Sequence, residues 1–158
     1  MIVKLYKKID GQLHFWECWD NQDGKSATIH AGKVGERGED KVIKSDIFSN
    51  YQKKVQKEID KLEGYSEVED EYTLLIEYKV EGMGEGKDVD KRHALEKRMQ
   101  ETLGWTGLGN CDGGSIGSGT MEVCCFVVDF DVAKKVIEAD LKGTEFSDFT
   151  RIYDENAH

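Results

Sequence analysis

Proline is absent from this chain of 158 residues, and cysteine is scarce. Without proline the chain contains no PxxP ligand motif, and no slow prolyl isomerisation limits its folding. The cysteines show no CxxC spacing, and two of them are adjacent, so that on a strand they would point to opposite faces. We therefore expect reduced thiols, no bound metal and no cofactor. The four cysteines are Cys18, Cys111, Cys124 and Cys125.

Long apolar segments are also absent. No stretch approaches the roughly 20 apolar residues that a membrane-spanning helix needs. The first eight residues include three lysines, where a secretory signal would have its apolar region. No Ser-His-Asp set and no carboxylate pair at a motif spacing is recognisable. The sequence thus predicts a cytoplasmic protein that is not an enzyme and has no membrane partner.

The charged residues are distributed unevenly along the chain. Residues 1–68 contain 12 basic and 12 acidic side chains, whereas residues 69–158 contain 10 and 20, so that the second half carries the whole net charge of −10. Such an asymmetry, with a run of acidic residues near position 70, indicates a domain boundary. We predict two domains, 1–68 and 71–158, and a basic protein as one possible partner of the acidic second domain.

The first half has the pattern of an antiparallel sheet. Asp10-Gly11 separates two alternating apolar segments, 5–9 and 13–19, which predicts a β-hairpin with a tight turn. Two further strands are predicted at 26–30 and 41–44. Four antiparallel strands result.

One helix is predicted after the fourth strand. Ser45 or Asp46 can cap its first turn. Apolar residues then recur at helical spacing and form a single stripe that should cover one face of the sheet. The stripe comprises Phe48, Tyr51, Val55, Ile59 and Leu62.

The segment 30–39 contains three glycines at a spacing of three, which lets the backbone turn sharply and approach a ligand or a neighbouring segment closely. An aromatic hairpin with Phe15-Trp16, this Gly-basic-Val-Gly-Glu-x-Gly run, and a helix closing on Lys-x-x-Gly-Tyr together resemble the WGR domain. That domain occurs in DNA-damage-activated poly(ADP-ribose) polymerases and in small bacterial proteins related to a molybdate metabolism regulator. The resemblance covers residues 1 to about 68 and implies contact with nucleic acid.

Two positions depart from the WGR pattern. Gly32 matches the central glycine and Lys33 the arginine, but Ala31 stands where the family has the tryptophan that gives it its name. In the DNA-binding members the tryptophan contacts the nucleic acid end and the arginine contributes to binding. Loss of a stacking residue costs about 1–3 kcal/mol per base, and lysine cannot form the bidentate fork of arginine. We therefore expect DNA binding by the intact chain to be weak.

The resulting hypothesis is a binding or regulatory protein whose WGR-like domain contacts nucleic acid or a nucleoprotein partner. The alternative is an immunity-type or other protein-interaction protein that binds no nucleic acid. The candidate nucleic-acid-binding residues lie in the aromatic hairpin and around the glycine-rich segment. They are Trp16, Gly32, Lys33, Arg37, Lys41 and Lys44.

The second half has the order strand, helix, strand, strand, helix, strand, which is typical of the ferredoxin-like βαββαβ sandwich. We predict its second strand to end at Cys111 and a glycine-rich loop to follow at 112–119. The apolar strand 121–128 should be central and covered on both faces. The loop before this strand resembles that of small bacterial ferredoxin-like domains, some of them in immunity-type proteins. The fold class is therefore α+β, with a WGR-like sheet and helix followed by a two-layer sandwich.

Overall fold

The computed structural model describes residues 1–68 and 71–157. These residues form eight strands and three helices, and the strands make two antiparallel sheets of four strands each. The chain divides into two compact units, Met1–Glu69 (unit 1) and Asp70–His158 (unit 2). The predicted α+β class is confirmed.

Unit 1 is a meander of four strands followed by one helix. Its elements are β1 (Ile2–Ile9), β2 (Gln12–Asp20), β3 (Ser26–Lys33), β4 (Glu39–Lys44) and α1 (Tyr51–Asp60). The strands lie in the sheet in chain order. Asp10 and Gly11 connect β1 to β2 with φ values of 51° and 78°, the positive values that a two-residue hairpin turn requires. The predicted hairpin is confirmed.

The sheet of unit 1 buries side chains on both faces. On one, which we call the helix face, α1 packs against β2 and β3. The buried residues there are Trp16, Cys18, Ala27, Ile29, Tyr51 and Val55. On the opposite loop face, the segment 34–38 between β3 and β4 lies over Phe15 and His30. Unit 1 is therefore a sheet between a helix and a short loop.

The helix of unit 1 begins later than predicted. Its N-cap is Asn50, whose side chain accepts a hydrogen bond from the Lys53 N–H. The Asp46 carboxylate instead accepts the N–H groups of Phe48 and Ser49 and folds the preceding residues into a turn. Phe48 is consequently 90% exposed and does not belong to the buried stripe. Neither Ser45 nor Asp46 is the N-cap residue, because local side-chain bonds favour a turn there, but the Ser45 hydroxyl does accept the N–H of Tyr51 at 2.8 Å.

Unit 2 places two helices on one face of its sheet. Its elements are β5 (Tyr72–Lys79), α2 (Gly86–Trp105), β6 (Gly109–Gly117), β7 (Thr120–Val127), α3 (Phe130–Leu141) and β8 (Arg151–Asp154). The order of strands is β6-β7-β5-β8, and all neighbours are antiparallel. Each helix contributes a completely buried row to the core. The rows are Leu95, Met99 and Leu103 from α2, and Ala133, Ile137 and Leu141 from α3.

Two predictions about the strands of unit 2 were wrong. Most of the segment 112–119 is not a loop, because β6 continues to Gly117 after a bulge between Cys111 and Gly113. Glycine allows the backbones to approach here, since a Cβ at Gly114 would meet the Glu122 carbonyl. The strand β7 is central, but its burial alternates, with only one face completely covered. Among the described residues, no helix is long and apolar enough to cross a membrane.

Candidate nucleic-acid interface

The cationic residues predicted from the sequence do not form one surface. Side chains that lie directly opposite each other on neighbouring strands share a face. By this register Lys33 and Lys41 lie on the helix face, and Lys44 lies on the loop face. Arg37 belongs to the segment 34–38, and its side chain is exposed. The four candidates are therefore divided between the two faces of the sheet and the segment 34–38.

Trp16 does not provide an exposed aromatic surface. Only 6% of it is accessible to solvent, and it packs on the helix face with Cys18 and Val55. The candidate residue Trp16 is therefore not placed to stack on a base. The side chains of β2 alternate between the two faces of the sheet, so Trp16 and Phe15 lie on opposite faces. The helix α1 covers Trp16 and the segment 34–38 covers Phe15, so neither ring is free to stack on a base.

Gly32 has a structural role in bringing the loop onto the sheet. A Cβ on Gly32 would lie 2.7 Å from the Cα of Gly38, closer than real contacts allow. Gly38 itself has φ of 68°, a left-handed conformation that favours glycine. The two glycines thus allow the segment 34–38 to fold tightly over Phe15. They shape the surface without supplying a binding group.

A buried histidine fixes this segment. His30 is 1% exposed; its Nδ1 lies 2.7 Å from Glu17 Oε1 and its Nε2 lies 2.5 Å from the Arg37 carbonyl oxygen. The ring thus bridges the Glu17 carboxylate on β2 and the backbone of the segment 34–38. The ring also lies 4.7 Å from that of Phe15. The backbone at Arg37 is therefore held firmly, by two residues that the sequence reasoning missed.

Lys41 and Lys44 both take part in contacts with α1. Lys41 Nζ is 3.5 Å from a carboxylate oxygen of Glu58. The carbonyl oxygen of Lys44 accepts a hydrogen bond from Lys54 Nζ at 2.8 Å. Exposed ion pairs of this kind are weak, at roughly 0–1 kcal/mol, yet the Glu58 carboxylate reduces the local positive potential around Lys41.

A different set of basic residues does converge. Lys7, His14 and Lys33 lie directly opposite one another on β1, β2 and β3, and we call them the basic row. All three are half-buried on the helix face, towards the Asp10-Gly11 end of the sheet. Two strand spacings separate the lysines by about 10 Å. The basic row is a short cationic ladder across the sheet.

The basic row has no acidic partner. Within residues 1–68 and 71–157, no carboxylate forms an ion pair with any of its three members. The two lysines carry like charges on either side of His14, so attraction between them does not explain this arrangement. Lys7 additionally has its ammonium 5.9 Å from the centroid of the Tyr65 ring. Among the described residues the row is thus without an ion pair, and it lies on an ordered strand framework.

A pocket adjoins the basic row on the same face. It has a volume of about 280 Å³. Three apolar and three charged residues line it, and they are Trp16, Ile29, Ala31, Glu39, Asp40 and Lys41. Ala31 lies directly opposite Trp16 in the β2–β3 pairing. Because the alanine side chain is short, the space beside Trp16 remains open.

The sequence did contain the signal for the two missed members of the row. A two-residue turn at Asp10-Gly11 pairs Ile9 with Gln12 and therefore Lys7 with His14. The pairing of β2 with β3 is set by a longer turn, so the alignment of Lys33 with this pair did not follow from the turn alone. Hairpin register would have added both residues to the candidate site.

The described part of the chain offers no metal centre, since within it no three or more His, Cys, Asp or Glu side chains cluster in a way that could hold an ion. No family model, curated protein or solved structure matches the chain. Its functional assignment therefore depends on the geometry of its own residues.

Proposed function

We propose that this chain is a non-enzymatic binding protein whose unit 1 is a WGR-like domain that contacts the phosphate backbone of nucleic acid through the basic row. The observation that carries the proposal is the alignment of Lys7, His14 and Lys33 on one face, where no carboxylate of residues 1–68 and 71–157 forms an ion pair with them. The four-stranded meander, the single helix and the glycine-mediated loop contact also support a WGR-like fold.

The chemistry of the row favours backbone contact over base recognition. Two lysine ammonium groups and an imidazole can each donate a hydrogen bond to a phosphate oxygen. Such contacts position a protein on nucleic acid and carry no sequence information. With few contacts and no exposed stacking residue among the candidates, we expect sequence-independent binding with a Kd of about 10⁻⁴–10⁻⁶ M.

For unit 2 we propose a ferredoxin-like fold that serves protein interaction. The strand order β6-β7-β5-β8 supports it, because each helix then connects two strands that have a third strand between them. The excess of acidic over basic side chains in residues 69–158 favours a basic protein as partner. If unit 1 binds no nucleic acid, this interaction becomes the principal function, as in an immunity-type protein.

The proposal is tested by fluorescence anisotropy with labelled single-stranded and nicked duplex DNA. For the full-length chain, the Lys7→Glu and Lys33→Glu substitutions should each weaken binding strongly. Lys33→Gln should lower the slope of log K against log salt by about 1, because one phosphate contact is lost. Titrations between about 50 and 200 mM salt measure this slope.

Lys8→Glu is the matched control. Lys8→Glu changes the net charge by the same amount as Lys7→Glu. Lys8 lies next to Lys7 on β1, but its side chain points to the opposite face of the sheet. It should weaken binding much less than Lys7→Glu. Equal losses for the two variants would show a diffuse charge effect, and either this result or no binding by the wild type at low salt would contradict the proposed interface.

A further inference from the structure

Two cysteines of unit 2 lie directly opposite each other on neighbouring strands. Cys111 on β6 pairs with Cys125 on β7. The backbone N–H of Cys111 donates to Gln100 Oε1 at 2.9 Å, so it points away from β7. Cys111 and Cys125 are therefore a non-hydrogen-bonded pair, the type of antiparallel pair in which the two residues lie closer together. Such pairs have a Cα–Cα distance of about 4.5 Å. This distance lies within the range of about 4.4–6.8 Å that a disulfide bond accepts.

The two thiols differ in environment. Cys125 is completely buried, whereas Cys111 is half-buried and reaches solvent. A hydrogen bond from the Cys125 thiol lowers the pKa of Cys111, although burial and the nearby carboxylates of Glu96 and Asp112 oppose the shift. The same hydrogen bond, together with burial, raises the pKa of Cys125. Of the two thiols, that of the less buried Cys111 therefore ionises more readily.

We propose that Cys111 and Cys125 are a peroxide-sensitive dithiol that closes to an intramolecular disulfide between β6 and β7. An accessible thiolate beside a second cysteine is the arrangement of redox-sensing sites, in which one sulfur is oxidised and the other resolves the product. This function is independent of the basic row, which lies in unit 1.

The oxidation balances with one hydrogen peroxide molecule as the oxidant. The Cys111 thiolate attacks one peroxide oxygen, the O–O bond breaks, and the departing hydroxide takes a proton to become water. The Cys125 sulfur then attacks the sulfenic sulfur of Cys111, and the S–O bond breaks as the S–S bond forms. The leaving oxygen departs as a second water with the proton of Cys125. The two sulfurs lose two electrons, and the peroxide gains them.

The other cysteines cannot take the same role in this geometry. Cys124 is adjacent to Cys125 on β7 and therefore points to the opposite face of the sheet, where it pairs with Gly113. Cys18 lies in unit 1, where it is completely buried on the helix face. The dithiol is thus specific to one cross-strand pair.

Thiol titration and peptide mass mapping of the full-length chain test the proposal. After treatment with hydrogen peroxide, two of the four thiols should be lost and the mass should fall by two hydrogen atoms. A disulfide-linked peptide pair containing Cys111 and Cys125 should appear, and dithiothreitol should reverse the change. In the untreated wild type, Cys111 should be the cysteine that iodoacetamide alkylates first.

Three variants identify the roles. Cys124→Ser should form the disulfide as the wild type does, and it is the matched control on the same strand. Cys111→Ser should not form it. Cys125→Ala should accumulate a sulfenic acid at Cys111 that dimedone traps. Disulfides between chains or through Cys124, or first alkylation at another cysteine, would overturn the proposal. The wild-type measurements decide the question even if Cys125→Ala does not fold.

Discussion

Gly38 and Gly24 offer a matched test of the loop contact at the residue scale. Their φ values are nearly equal, 68° and 67°, so that alanine meets the same backbone strain at either position. A Cβ at Gly38 would also press on the Ala31 carbonyl and come 3.0 Å from the Phe15 ring, whereas Gly24 has nothing within 4 Å. We expect Gly24→Ala to cost about 1 kcal/mol and Gly38→Ala about 1–3 kcal/mol more.

Urea unfolding of the full-length variants measures both free energies. The additional loss in Gly38→Ala reports the close approach of the segment 34–38 to the sheet, because the strain in φ cancels between the two variants. Equal losses at the two glycines would contradict the tight packing of this loop over Phe15.

At this scale the sequence predicted some site residues and missed others for a clear reason. Lys33 was predicted and belongs to the basic row, whereas Lys7 and His14 were missed because single positions were considered without their cross-strand neighbours. Alternation in β2 separated Trp16 from Phe15 but could not show that both faces are covered. The contact between His30 and Glu17 depends on the pairing of β2 with β3, which no local pattern specifies.

The turn before α1 gives a pH-dependent prediction at the scale of elements. A hydrogen bond from Lys54, with the N–H groups of Phe48 and Ser49, lowers the pKa of Asp46 from 3.8 to about 2. A carboxyl group whose pKa is lower in the folded than in the unfolded state stabilises the protein at a pH above its unfolded-state pKa. This stabilisation is lost as the pH falls through the folded-state pKa. The contribution of Asp46 should therefore be complete above about pH 5, decrease as the pH is lowered and disappear below about pH 2.

Thermal unfolding of the wild type and Asp46→Asn between these pH values measures the effect. The asparagine oxygen can still accept the two backbone N–H groups, but it has no charge for Lys54. The wild type should exceed the variant in Tm at neutral pH, and the difference should shrink as the solution becomes acidic. A difference that is constant over this range would show that ionisation of Asp46 does not stabilise the turn.

The presence of helices and strands whose apolar residues recur regularly was easier to predict than the residues at which these elements begin and end. Leu95, Met99 and Leu103 of α2 recur every four residues, and all three are completely buried. The strand β6 was cut short in the prediction because glycine-rich segments have low intrinsic strand preference. Pairing with β7 stabilises that segment as a strand, and such a tertiary contact cannot be read from local composition.

For the whole molecule, the net charge of −10 in the second half predicts that it opposes nucleic-acid binding by the first. We expect a fragment of residues 1–68 to bind DNA more tightly than the intact chain at low salt. Anisotropy titrations compare the two proteins, and circular dichroism checks that the fragment is folded. The difference should narrow at high salt because screening shortens the range of the repulsion. Tighter binding by the intact chain would contradict this view of unit 2.

The two sheet topologies also determine how early the strands of each half can pair during synthesis. In unit 1 each strand pairs with the next one along the chain, so every hairpin can form soon after it is synthesised. In unit 2, β5 pairs with β7 and β8, which are synthesised only after the intervening α2 and β6. Both edges of the apolar β5 therefore remain unpaired until β7 and β8 have been synthesised. During this interval the nascent chain is most prone to aggregation.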